Sequence, residues 1–382
     1  MSGLRIAFFG SSLVSAYWNG AATYYRGIIR ALAERGHQVT FYEPDVYDRQ
    51  KHRDMDDPTW ARVVVYPSED DEMWRALEGA RTADVLIKTS GIGVFDQQLE
   101  AAIPASKSPH TVSIFWDVDA PATLDRVRRY PGDPFRAQIP KYDLVLTYGG
   151  GDRVVAGYRT LGARACAPIY NALDPATHYS VAPNSRFAAD LSLLANRLPD
   201  REARVDEFFL RAAALAPTSS FLLGGNGWQD KPMPPNVKAV GHVFTRDHNA
   251  LNCSARAVLN VNRESMVTYG FSPPTRIFEA AGAGACIISD AWKGMEMFLE
   301  PGREVLIARD GAEVASILQG LSPRGAREVG LAAYHRVLAC HTYDRRVDQF
   351  EDLLGIRKPS PSVPMARDVV TTHARARMPG DA

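Results

Sequence analysis

Several things are scarce in this 382-residue chain, and each scarcity excludes a class of protein. There are four cysteines (Cys166, Cys253, Cys286 and Cys340), scattered and without the paired spacing of a metal site. That argues against a disulfide framework and suits a reducing, cytoplasmic setting. No apolar run approaches the ~20 residues needed to span a bilayer, so no integral membrane segment is expected. Neither sign of charge is in excess, with Lys+Arg and Asp+Glu at 44 each, so no net field draws in nucleic acid or an anionic membrane. The opening M-S-G-L-R-I-A-F-F-G reads as a first strand; a signal peptide would need a longer apolar core and a cleavage site.

What is present is an ordinary globular composition, 46% hydrophobic and 23% charged. The length exceeds one typical core, so two domains are expected. Arg5–Phe9 is an apolar strand, and Tyr25, Ile28, Ile29 and Leu32 recur at helical spacing before Gly36 and the next strand, Gln38–Tyr42. That is a βαβ unit and favours a parallel sheet. Further strands are expected at Val63–Tyr66, Asp84–Lys88, Thr111–Trp116, Leu144–Thr147 and Arg164–Ile169. A polar, proline-broken stretch from Pro175 to Pro183 reads as a linker. A second α/β series then begins, with strands at Leu191–Ala195, Phe221–Leu223, Val237–Val243, Ala257–Val261, Cys286–Ser289 and Val305–Ala308, and with a helix rich in apolar residues expected from about Arg201 to Leu215. The fold class is therefore α/β, with two doubly wound, Rossmann-like sheets whose ligands lie beyond the carboxyl ends of the strands. The expected division is 1–175, 184–339, a last helix in 340–356, and a disordered tail over 357–382.

The most informative stretch is Ser272–Asp290, S-P-P-T-R-I-F-E-A-A-G-A-G-A-C-I-I-S-D. Ser272 suits an N-cap and Pro273 the first helical position. Arg276 and Glu279 stand three residues apart, on one face of the expected helix. A helix N-terminus favours anions, and a glutamate one turn further in can accept hydrogen bonds from a ribose diol. Thr275, Arg276 and Glu279 thus suit a nucleotide diphosphate; the same spacing also suits a surface ion pair.

This stretch, followed by F-L-E-P-G-R-E-V-L-I-A and by H-T-Y-D-R-R at 341–346, resembles the group 1 glycosyltransferases, which have the GT-B architecture. It is most similar to the branch that includes the spore maturation protein CgeB. A G-G-x-x-x-Y-type opening after the first strand, R-G-H-Q-V at 35–39 and Y-N-A-L-D-P at 170–175 are similar to the same branch. The resemblance runs over roughly residues 5–354 and is strongest over 190–350. It implies a transferase that moves a sugar from a nucleotide-diphosphate donor held by the second domain, with the last helix packing back on the first. The implied partners are a nucleotide sugar and an acceptor of unknown identity, with no other cofactor and no metal. Many group 1 enzymes use two glutamates eight positions apart, one on the sugar and one on the ribose. Glu279 matches the second. Phe271 stands where the first would be, and the Arg-x-x-Glu form is that of the CgeB-like branch.

Without a metal, arginines and helix N-termini must stabilise the leaving diphosphate. Arg276, Arg197 and Arg201 are the candidates; a charge-assisted hydrogen bond is worth roughly 1.5–3 kcal/mol, against ~0.3–1 for the helix dipole. Asn196, Gly225, His242 and Asn262 are further donor-side candidates, although each also suits an ordinary turn or loop. In the first domain Asp117 and Asp119 follow an apolar strand, where a carboxylate can act as general base on an acceptor hydroxyl. The same D-x-D is the sign of metal-dependent GT-A transferases, and it also suits simple caps before Pro121. Ser11, Ser12, Asn19, Gly20 and Gly150 lie on strand–helix loops of the acceptor side. Two rivals remain: a nucleotide-sugar epimerase or hydrolase of GT-B fold, and a non-catalytic nucleotide- or glycan-binding protein.

Overall fold

Alternating apolar runs and glycine-broken loops build two separate parallel sheets. The computed structural model describes residues 3–17 and 19–356; the expected tail 357–382 lies outside the described residues. The first sheet contains β1 (Arg5–Phe9), β2 (Gln38–Asp45), β3 (Arg62–Pro67), β4 (Val85–Thr89), β5 (Val112–Asp117), β6 (Leu144–Thr147) and β7 (Cys166–Pro168). The second contains β8 (Ala189–Leu194), β9 (Phe221–Gly224), β10 (Val237–Gly241), β11 (Ala255–Asn260), β12 (Ile287–Asp290) and β13 (Leu306–Ala308). Their orders are β3-β2-β1-β4-β5-β6-β7 and β10-β9-β8-β11-β12-β13, every pair parallel. Each order reverses beside its first strand, at β1/β4 and at β8/β11. Those reversals leave a crevice at the carboxyl ends, where doubly wound sheets bind ligands.

The strands are apolar on both faces because helices cover both. In the first sheet Phe9, Leu86, Phe115 and Val145 pack on one side, and Phe8, Ile87, Trp116 and Leu146 on the other. The second sheet is covered likewise, with Leu193 and Leu259 on one face and Val258 and Ile287 on the other.

The last helix, Tyr343–Leu353, returns to the first sheet. Tyr343, Val347 and Phe350 join the core beside Trp116 and the helix Ala22–Glu34. Trp116 and Phe350 stack at 5.7 Å, and Tyr24 meets Tyr343 edge-on at 5.9 Å; such pairs add about 0.5–1.5 kcal/mol beyond burial. Arg346 ties this helix to the chain leaving β7, donating to the carbonyls of Tyr170 and Asn171. No helix among the described residues is long and apolar enough to cross a membrane.

Two local expectations change. The helix in Ser272–Asp290 runs from Thr275 to Gly282 with Pro274, not Ser272, at its N-cap. A proline disfavours helical backbone at the residue before it, so Pro274 keeps Pro273 extended and delays the helix. Ser272 instead turns its hydroxyl back to the Gly270 carbonyl at 3.0 Å. The helix expected from Arg201 to Leu215 starts at Pro199 and passes through a π turn at Asp206–Leu210.

The join between the last helix and the first sheet can be tested at Gly27, where an added Cβ would lie 2.1 Å from the Tyr343 ring. Alanine normally gains about 1 kcal/mol over glycine inside a helix. Here the ring is buried and cannot swing away, so Gly27→Ala should instead cost about 1–3 kcal/mol as overpacking. Chemical denaturation measures the sign; a rise in stability would show that the ring yields.

Candidate functional site

The crevice of the second sheet is assembled from the carboxyl ends of β8 and β11 and from the start of the helix Thr275–Gly282. Arg276, in that first turn, reaches across the sheet's reversal point. One guanidinium nitrogen donates to the Leu194 carbonyl at the end of β8, and another to Asn260 Oδ1 at the end of β11, 3.3 Å away. These partners are dipoles, so its charge is not cancelled by contact, and burial lowers its proton affinity despite Glu279 and Asp290 nearby.

Arg201 stands beside it in the helix that begins at Pro199. No hydrogen bond or ion pair engages its guanidinium among the described residues, and its Nε is buried without a partner. Burial, then the neighbouring charges of Arg276 and Arg263, push its pKa down to about 10. Arg263 completes the cluster and is held by Asp200 at 2.6 Å. Three guanidinium groups therefore face one crevice, and only one has an acid in direct contact. An anion is the natural complement.

Other donor-side candidates build the walls. Asn262 is buried: its N–H donates to both Asp290 oxygens at 3.2 Å and its Oδ1 accepts from Asn260, while its Nδ2 has no partner. Arg204 pairs with Asp290 at 2.7 Å and so neutralises the acid at the end of β12. Asn196 accepts from the Asn226 N–H at 2.9 Å, and the Asn226 amide meets His242 Nδ1 at 3.4 Å, which stitches three loops together. Gly225 sits at φ +120°, and a Cβ there would lie 2.1 Å from the Ala195 carbonyl; close approach of two loops requires the glycine. Arg197 is turned away, paired with Glu202 at 2.7 Å and Asp230 at 2.8 Å. Thr275 opens the helix, and Glu279 lies one turn in, partly buried near His178 and His248.

On the facing side the two aspartates divide. Asp117 is fully buried and spends its carboxylate on the Tyr158 hydroxyl, on Thr123 at 3.1 Å and on the Asp119 N–H at 2.9 Å. Three hydrogen bonds from the protein's own groups therefore already hold its carboxylate. Asp119 lies at the head of the helix Ala120–Arg129, its pKa raised first by burial and then by Asp117, while Arg263 from the second sheet pulls it down. The two units thus sense each other across the cleft through Asp119 and Arg263. Ser11, Ser12 and Asn19 serve their own loop: Ser11 donates to Asn19, Ser12 to buried Glu43, and Asn19 to the Ser12 and Ser15 carbonyls. Gly20 is exposed, and Gly150 donates across the cleft to the Phe271 carbonyl at 2.8 Å. Arg263 is the site residue that sequence reasoning missed; its only signal was its place just past the end of β11.

Comparison with solved structures places the fold. Anabaena Alr3699/HepE, solved with UDP and glucose, superposes with a TM-score of 0.64 over 92% of this chain and 99% of its own, at 14% identity. Sucrose-phosphate synthase from Thermosynechococcus elongatus gives 0.64, with 92% and 98% covered, also at 14% identity. An alpha-glucosyltransferase solved with UDP-glucose and DNA gives 0.68, with 93% and 100% covered, at 13% identity. The fold is GT-B. Residues 201–352 also match the family model described as Glycosyl transferase-like. No curated protein matches the sequence. The family match begins at Arg201 and includes Arg263, Arg276 and Glu279, so it falls on the half that carries the cationic crevice of this GT-B chain.

An uncompensated cation should destabilise the ligand-free fold. Because Arg201's folded pKa lies below its unfolded value, the penalty is fully present below about pH 10 and fades as pH rises toward the unfolded value. Arg201→Gln should therefore raise the melting temperature of the ligand-free chain at neutral pH, by roughly 2–4 °C for each kcal/mol relieved. Calorimetry provides the check, and a lower melting temperature would mean that Arg201 already has a stabilising partner.

Proposed function

We propose that the chain is a glycosyltransferase that takes a sugar from a nucleoside-diphosphate donor. The observation that carries this reading is the pair of guanidiniums, Arg201 and Arg276, left without acids at the reversal point of the second sheet. A diphosphate supplies the missing charge, and more of it as the bond to the sugar breaks, so the same arginines favour the transition state over the ground state. The fold neighbours solved with UDP or UDP-glucose support such a donor. Glu279 then takes the ribose hydroxyls, one turn behind Arg276. Its Arg-x-x-Glu spacing supports the CgeB-like branch over the two-glutamate form.

The arginines allow transfer without a metal at the diphosphate. The burial of Asp117 and its three hydrogen bonds to Tyr158, Thr123 and the Asp119 N–H favour this reading over the D-x-D alternative. Asp119 is the acid that faces the donor arginines, and its raised proton affinity suits a group that takes a proton from an acceptor hydroxyl. One DNA-bound neighbour raises the question of a nucleic-acid acceptor. The balanced charge of this chain, 44 against 44, supplies no field for a polyanion and favours a neutral or small acceptor.

Isothermal titration of the purified chain with UDP and other nucleoside diphosphates tests the donor site. Arg276→Ala and Glu279→Gln should each weaken binding roughly 10–150-fold, the equivalent of about 1.5–3 kcal/mol for a charge-assisted hydrogen bond. Unchanged affinity in both variants would remove the diphosphate–ribose reading. Asp119→Asn should leave nucleotide affinity within a factor of about two and lower turnover, followed as nucleotide release from the sugar donor, by about 10²-fold or more. Wild-type turnover would reduce Asp119 to a cap.

A further inference from the structure

Behind the donor crevice three elements bring together side chains that no part of the transfer reaction uses as a set. His178 comes from the segment joining the two sheets, His248 from the first turn of the helix His248–Ser254, and Glu279 from the helix Thr275–Gly282. One nitrogen or oxygen from each lies within 4.8 Å of the other two. The His178 side chain is only 2% exposed, yet its Nε2 has no hydrogen-bond partner. It faces Glu279 Oε1 at 3.9 Å, too far for a hydrogen bond. A buried polar atom left unpaired costs about 1–3 kcal/mol, and a small cation shared by these groups would offset that cost.

We infer that His178, His248 and Glu279 form a binding site for a transition-metal dication of the zinc class. Two imidazoles and one carboxylate are a ligand set that Zn²⁺ takes with a fourth position left for water or a ligand oxygen. Bonds of about 2.0–2.2 Å at tetrahedral angles separate ligand atoms by about 3.4 Å. The observed 3.9 Å closes to that by a small side-chain rotation, shorter than the move a direct hydrogen bond would require. The nitrogen donors disfavour Mg²⁺ and Ca²⁺, which want oxygen. The Val243 carbonyl beside the His248 ring supplies the kind of partner that fixes a ligating imidazole. Such an ion would fasten the inter-sheet segment to two helices of the second unit. It would also leave one Glu279 oxygen for the ribose, so the site shares a residue with the proposed donor pocket without depending on it.

The test uses the full-length chain without an affinity tag, stripped with chelator, dialysed and titrated with Zn²⁺, Co²⁺ and Mg²⁺. One Zn²⁺ per chain should bind, Co²⁺ should give the visible absorption of a four- or five-coordinate nitrogen–oxygen site, and Mg²⁺ should show no binding at this site. His248→Ala, at the more exposed ligand, should weaken Zn²⁺ binding at least tenfold and abolish the Co²⁺ spectrum, as should His178→Gln. Zinc that fails to bind, or that binds both variants as it binds wild type, overturns the site. If His178→Gln does not fold, the wild-type Co²⁺ spectrum and His248→Ala still decide. A parallel UDP titration separates the two readings. A chain that binds UDP but takes up no Zn²⁺ overturns this site and leaves the transferase reading standing, whereas a chain that takes up Zn²⁺ but binds no UDP does the reverse.

Discussion

Arg276 donates to a main-chain carbonyl at the end of β8 and to an amide at the end of β11, and much of the second unit follows from that contact. The bond pins the start of the helix Thr275–Gly282 to the point where the strand order reverses. It also holds a positive charge there with dipoles alone. Carbonyls and amides orient a guanidinium without cancelling it, so the crevice stays cationic. Where the fold needs an acid neutralised it does so elsewhere: Arg204 takes Asp290 and Asp200 takes Arg263. Arg201 is left over. A protein that needed only stability would have replaced it, because an unpaired, partly buried cation carries a desolvation cost with no return in the ligand-free state.

Much of this was readable from the residues. Most strands are short apolar runs, and parallel strands buried on both faces leave that mark. Two βαβ series with right-handed crossovers then leave few topologies open. Arg276 and Glu279 were legible because helical spacing alone puts them on one face. What could not be read depends on partners far off in sequence. Asp117 and Asp119 look equivalent in D-x-D, yet Tyr158, 41 residues on, takes the first and leaves the second facing the cleft. Arg197 and Arg201 are both candidates by position, but Glu202 and Asp230 occupy Arg197. His178 and His248 lie 70 residues apart by number and meet only because the inter-sheet segment runs past the helix 248–254.

Phe271 shows why the resemblance breaks where it does. Its φ of +47° is uncommon for a residue with a side chain and costs on the order of 1–3 kcal/mol. The surroundings hold it there: its N–H donates to the Lys293 carbonyl at 2.6 Å, and its own carbonyl accepts from Gly150 of the first unit at 2.8 Å. Its ring fills the space that a side chain at Gly151 or Gly294 would need, with Lys293 over its face at 5.5 Å. Nearby, Tyr269 donates to Asp125 at 3.1 Å and Arg153 to the Thr268 carbonyl at 3.0 Å, both across the same boundary. Position 271 is thus a packing and backbone junction between the two units.

A carboxylate at that junction would meet a different balance. It would have to be buried against two glycines, where its charge would be poorly solvated. The aromatic ring removes that cost and makes position 271 one that sets how the two units meet. The polar groups that face the crevice come from fixed elements: Arg276 and Glu279 on one helix, Arg201 on another, and the unpaired Asn262 amide between them. Because the loop that carries Phe271 leads directly into the helix that carries Arg276, the contact between the units and the charge at the crevice are mechanically one piece. Moving one unit against the other must shift Arg276, so the charge at the crevice and the geometry of the two units are coupled through five residues of chain.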